Sequence, residues 1–211
     1  MNHSPANTDI SIQLKSVAKK FGQEWIFKNI DILIEPGATL AITGPNGSGK
    51  STLLKLIAGI TTPNKGEVFY TCYTGKKIEP ENLYTHLSYC APYLDLPEEL
   101  TLNELLVFHC KLRTTIMSAK ELIDVLGIDP HKEIRNYSSG MKQRVKLVLA
   151  VYTQSALLFL DEPTAYLDDE WSNKYMQMMH TATTGRTVIV CSNVSSEYSF
   201  CKQILDISNY K

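Results

Sequence analysis

At 211 residues and 44% hydrophobic content, the chain can bury one large core, as a single domain or as a domain with an inserted lobe. Its 21 basic and 22 acidic side chains nearly cancel and form no dense basic stripe, which argues against nucleic acid or anionic lipid as the main partner. Five cysteines, odd in number and with no Cys-x-x-Cys pair, argue against a disulfide framework or zinc site and fit free thiols in a reducing cytosol.

The start, residues 1–9, is polar and lacks an apolar core, so it is expected to be a flexible terminus and not a signal peptide. No apolar run approaches the length needed to cross a bilayer, so the chain is expected to be soluble by itself. Ile10, Ile12 and Leu14 alternate with polar residues, as do Ile30, Ile32 and Ile34. Both stretches predict half-buried strands, paired as a small antiparallel sheet around a turn near Gly22. Thr39 to Thr43 is short, apolar and β-prone, and predicts a buried strand.

The residues that follow carry the strongest signal in the chain. Gly44, Pro45, Asn46, Gly47, Ser48, Gly49, Lys50, Ser51 and Thr52 match G-x-x-x-x-G-K-[ST]. Leu53, Leu54 and Ile57 then recur at helical spacing, and Gly59 ends the helix. Strand, glycine-rich turn and helix N-terminus are what a polyphosphate cradle requires. Glycines let backbone N–H groups turn inward as donors, and the helix terminus adds partial positive charge. Lys50 is placed to reach the β- and γ-phosphates and the Ser51 hydroxyl to bind Mg²⁺. The motif predicts a bound nucleoside triphosphate.

Further strands are expected over Gly66 to Thr71 and Leu87 to Cys90. The character then changes. Thr101 with Glu104, and Ser118 with Glu121, are capping boxes opening apolar-periodic helices, so residues 97–140 or so predict a helical lobe inserted in an α/β core. A helix from Met141 and strands at Leu157 to Leu160 and Thr187 to Cys191 complete the pattern. The apolar strand ending in Asp161 and Glu162 suits a nucleotide hydrolase, with Asp161 holding Mg²⁺ and Glu162 polarising or deprotonating the attacking water. The Tyr175 to Met179 run predicts a helix face on the core, and His86, His109, His131 and His180 share no metal-ligand spacing.

Tyr137 to Val145 resembles the signature sequence of ABC-type ATPases, whose pattern is Leu-Ser-Gly-Gly-Gln, a basic residue, then Gln-Arg. Ser138, Gly140, Gln143 and Arg144 match it. Asp161 to Asp168 resembles the joined Walker B and D-loop, with Asp168 at the D-loop aspartate, and Phe21 falls where the family places an aromatic on adenine. The motifs come in family order from about Ile10 to the end, so the chain is similar to the nucleotide-binding subunit of an ABC transporter.

The resemblance implies a P-loop NTPase core over 10–211, with an N-terminal antiparallel β subdomain and an inserted α-helical lobe. It implies ATP and Mg²⁺ as cofactors, and a second copy or homologous subunit whose Ser138 and Gly140 complete each ATP site. It also implies a separate integral-membrane permease, which would place the protein at the cytoplasmic face of a membrane. Tyr93 or Leu94 is expected to contact that permease, and the short C-terminus favours export. Several positions depart from the pattern: Pro92 replaces the Q-loop glutamine, Asn193 the switch histidine, and Tyr137, Ser139 and Met141 the signature's leucine, first glycine and glutamine. Proline offers Mg²⁺ no side-chain carbonyl, and an asparagine amide can donate but not titrate. Ser139 adds bulk where the family has its first signature glycine. The alternatives are an ATP-dependent dimerisation module with weak turnover, or a soluble ABC-type ATPase acting outside transport. Intact Lys50, Ser51, Asp161 and Glu162 favour a subfamily with its own Q-loop and switch chemistry.

Overall fold

A computed structural model describes residues 10–211; the start, 1–9, lies outside the described residues. Two sheets and two cores organise the chain. The first sheet is antiparallel, in the order β2-β1-β4-β5, from β1 (Ile10–Phe21), β2 (Glu24–Ile34), β4 (Lys65–Cys72) and β5 (Lys77–Ile78). The expected pair around Gly22 is there, but β1 also pairs with β4 along its other edge, Ile10 facing Cys72 and Lys15 facing Glu67. Ser16 and Asn29, both at positive φ, lie beside the register shifts that bend this long hairpin.

The second sheet, wholly parallel, has the order β6-β7-β8-β3-β9, from β3 (Thr39–Thr43), β6 (Leu87–Cys90), β7 (Leu157–Asp161), β8 (Thr187–Cys191) and β9 (Gln203–Asp206). Strands covered on both faces read as continuous apolar runs, which is why β7 and β8 carry no polar alternation. Their period of two still sorts the side chains. Leu157, Phe159, Ile189 and Cys191 enter the core shared with the antiparallel sheet and α1 (Lys50–Ile57). Leu158, Leu160, Val188 and Val190 enter the core built with the remaining helices.

Those helices are α2 (Leu102–Leu112), α3 (Ala119–Leu126), α4 (Ser139–Tyr152) and α5 (Asp169–Ala182). Both expected capping boxes are formed: Thr101 and Ser118 side chains accept from the N3 amides, while Glu104 and Glu121 reach back to the cap amides. The helix expected from Met141 begins two residues earlier, because the Ser138 hydroxyl accepts from Met141 N at 3.2 Å and acts as N-cap. Tyr175, Met178 and Met179 on α5 are buried, as the Tyr175 to Met179 pattern predicts. Among the described residues no helix is long and apolar enough to cross a membrane.

Candidate nucleotide site

Because every strand of the second sheet runs the same way, the segments after β3, β6, β7 and β8 all emerge at one edge. Ligand sites in open α/β sheets form there, at the carboxyl ends of strands. The glycine-rich loop follows β3, Tyr93 follows β6, Asp161 and Glu162 follow β7, and Asn193 follows β8. Residues scattered over 150 positions of sequence become neighbours through topology alone.

The loop has the backbone its glycines permit. Gly44, Gly47 and Gly49 stand at φ 138°, 75° and 104°. At Gly49 a Cβ would sit 2.3 Å from Ile26 Cγ2, and at Gly44 2.8 Å from Ile207 Cγ2, so space and torsion both demand glycine. Lys50 opens α1 and is only 5% exposed; its ammonium donates to the carbonyls of Gly44 (2.8 Å) and Pro45 (3.1 Å) and so lies across the mouth of the loop. Ser48 Oγ is buried without a hydrogen-bond partner. Asn46, at the loop tip, accepts from Asn193 Nδ2 at 3.2 Å, joining the segment after β8 to the cradle.

Opposite the loop, Ser51 Oγ donates to Asp161 Oδ1 at 3.0 Å. Asp161 is 1% exposed, and burial pushes its carboxyl above the usual carboxylate range, while the bonds from Ser51 and Tyr93 pull it back. A buried carboxylate beside a hydroxyl is a hard oxygen donor set, the kind that suits Mg²⁺. Glu162 is exposed and held at φ 43°, in left-handed backbone that a residue with a Cβ seldom adopts, with its N–H bonded to Cys191 O at 2.9 Å.

The helical side of the site has its own bracing. Gln143, fully buried on α4, donates through Nε2 to Pro163 O at 3.0 Å and ties α4 to the turn after Glu162. Gly140 lies in the first turn of α4, where a Cβ would meet Tyr166 O at 2.7 Å. Asp168 caps α5 by accepting from Trp171 N at 2.9 Å and pairs with Arg144 at 2.6 Å.

The comparisons with known proteins agree with this geometry. A family model described as ABC transporter matches residues 27–165. The chain belongs to the ABC transporter family.

As an ABC-family ATPase it binds and hydrolyses ATP, and its relatives work in several systems. It is 33% identical over 172 residues to the cytochrome c biogenesis ATP-binding export protein CcmA of Brucella abortus, covering 80% of this chain and 78% of that one. It is 29% identical over 219 residues to the sulfate/thiosulfate import ATP-binding protein CysA of Synechococcus elongatus; that match takes in 98% of this chain but spans only 62% of the relative's length. Among solved structures, an ATP-binding cassette in a dimeric post-hydrolysis state with ADP and Pi superposes at a TM-score of 0.76. Sequence identity there is 25%, over 93% of this chain and 94% of that one.

Three features of this ABC cassette escape sequence reasoning. Tyr93 is on the surface as expected, 45% exposed, yet its hydroxyl reaches back to donate to Asp161 Oδ2 at 3.0 Å, a contact that no local pattern signals. Glu197, 4% exposed, accepts from the backbone amide of Thr164 at 3.2 Å and from its hydroxyl, fastening the segment after β8 to the turn after β7. The 33 positions between Thr164 and Glu197 leave no local signal of it. Trp171 is buried with Arg144 and Lys174 against its ring, at 4.9 and 4.8 Å. Phe21, by contrast, belongs to neither core and is 59% exposed at the end of β1. Leu94 lines a surface cleft of about 360 Å³ together with Leu96, Arg113 and Lys146.

Proposed function

We propose that this chain is the ATP-driven subunit of an ABC transporter, closing around ATP as a dimer and powering a separate membrane permease. The observation that carries the reading is the convergence of Lys50, Ser51, Asp161, Glu162 and Asn193 at one edge of the parallel sheet. In this reading Gly44 to Thr52 wrap the phosphates with backbone amides, and the Lys50 ammonium exchanges its carbonyl partners for phosphate oxygens. Ser51 and Asp161 would hold Mg²⁺, which would supply positive charge against the phosphates. Glu162 orients a water and takes its proton, and Asn193 donates its amide to the γ-phosphate. Phe21 supplies a ring for adenine, and its exposure favours that role over packing.

The second half of each site comes from the other subunit, a second copy of this chain or a homologue. Ser138 accepts from the Met141 amide with one of its two lone pairs, and its hydroxyl proton is available to donate to a phosphate. Around it, the first-turn amides near Gly140 have no intrahelical partner and carry the partial positive end of α4. Asp168, pinned by Arg144, holds the turn that presses against Gly140. The cleft beside Leu94 is the surface for the permease, which would keep the cassette at the cytoplasmic face of a membrane. Glu162→Gln tests the chemistry: Mg-ATP binding should persist while turnover falls at least about 100-fold, as for loss of a general base. Turnover within a few-fold of wild type would overturn the assignment of Glu162.

A further inference from the structure

Position 92 offers no side-chain amide to the metal, yet the proline there builds the turn that delivers another group. Ala91 O accepts from Leu94 N at 3.3 Å, so Pro92 sits at the second position of a β-turn, where its fixed φ is favoured, and Tyr93 follows. Lys146 Nζ anchors the Pro92 carbonyl at 2.7 Å. Tyr93 is then held at both ends. Its ring lies 4.0 Å under the Lys55 ammonium of α1, and its hydroxyl reaches Asp161 Oδ2 at 3.0 Å.

The direction of the hydrogen bonds follows from counting protons. A phenol has one, and an ionised carboxylate can only accept, so Tyr93 donates to Asp161. The 2.7 Å contact between the Tyr89 and Tyr93 hydroxyls must therefore run from Tyr89 to Tyr93. Tyr89 is set by β6 and packs edge-on to Phe159 of β7, with centroids 6.4 Å apart. The result is a relay from Tyr89 through Tyr93 to Asp161 Oδ2, while Ser51 takes Oδ1. One carboxylate is fixed at both oxygens.

We propose that Tyr93, braced by Tyr89, is a positioning residue for the Mg²⁺ carboxylate, doing through Asp161 what a side chain at position 92 cannot. The proposal rests on the reading of Asp161 as a metal ligand. Orienting partners of metal ligands act on metal affinity more than on the rest of the ligand. Removing one costs roughly 10- to 100-fold in affinity or activity.

The test uses the full chain with Glu162→Gln, so that ATP is bound and not consumed, and titrates Mn²⁺ into the ATP complex while following the free-ion signal by electron paramagnetic resonance. Tyr93→Phe keeps the ring over Lys55 and deletes only the hydroxyl. It should raise the Mn²⁺ concentration for half-occupancy about tenfold, and shift the affinity for ATP without divalent metal by less than about twofold, since the hydroxyl touches only Asp161 and Tyr89. Tyr89→Phe should move the metal constant the same way by a smaller factor. An unchanged metal constant in Tyr93→Phe, or an equal loss of metal and metal-free ATP binding, overturns the proposal. Asp161→Asn separates the two levels. If it weakens Mn²⁺ and Tyr93→Phe does not, the tyrosine assignment alone fails; if neither does, the magnesium reading fails first.

Discussion

Asp168 carries two bonds of different kinds, and a pair of substitutions separates them. Its Oδ1 caps α5 through the Trp171 amide and its Oδ2 pairs with Arg144. Loss of an N-cap costs about 1 kcal/mol. The ion pair, with the aspartate side chain 55% exposed and the arginine 25%, contributes about 0.5 kcal/mol after solvent screening. Asn is as good an N-cap as Asp but cannot form the ion pair. Asp168→Asn should therefore lose about 0.5 kcal/mol and Asp168→Ala about 1.5 kcal/mol. For a chain of this size those losses correspond to Tm decreases of about 1–2 °C and about 3–6 °C. Scanning calorimetry on the three proteins at one ionic strength reads both. Equal destabilisation by Asn and Ala would refute the cap as the larger contribution. A neutral Ala would refute both bonds.

The glycine-rich loop gives a steric prediction: Gly49→Ala should lower Tm and abolish binding of a fluorescent ATP analogue, since φ 104° and Ile26 at 2.3 Å both oppose a Cβ. Gly47→Ala, with nothing within 4 Å, should be the milder change, and the reverse order would contradict the loop geometry. His109 gives a pH prediction. Burial first, then the Arg113 charge, holds its pKa below the ordinary imidazole value, and its Nε2 lies 2.8 Å from Thr153 Oγ1. The unfolded chain then takes up the proton first, so stability is full above about pH 6.5 and declines as pH falls through the folded pKa. His109→Gln should flatten the denaturation midpoint across that window, and an unchanged slope would show that other groups set it.

Legibility in the sequence tracked locality. The glycine-rich loop, both capping boxes and the apolar strands leading to Asp161 and starting at Thr187 are written in consecutive residues, and the structure has them where the patterns put them. β5 and β9, at two and four residues, are too short to show a period. α4 begins before Met141 because the Ser138 hydroxyl, which the signature assigns to phosphate, also caps the helix. The bond from Tyr93 to Asp161 is hidden for another reason. It depends on β6 pairing with β7, which sets Tyr89 beside Asp161's strand, and strand order cannot be read from one sequence. The buried bonds of Glu197 and Gln143 are hidden for the same cause, since their partners lie far along the chain.

The central claim is that two half-sites close on ATP, and the solution mass of Glu162→Gln protein with and without Mg-ATP tests it most directly. Without a general base the closed state should accumulate, so the account predicts a shift from monomer to dimer on adding Mg-ATP, lost again when Ser138 or Gly140 is replaced by a bulky residue. A protein that binds Mg-ATP and stays monomeric at every concentration tested would contradict it.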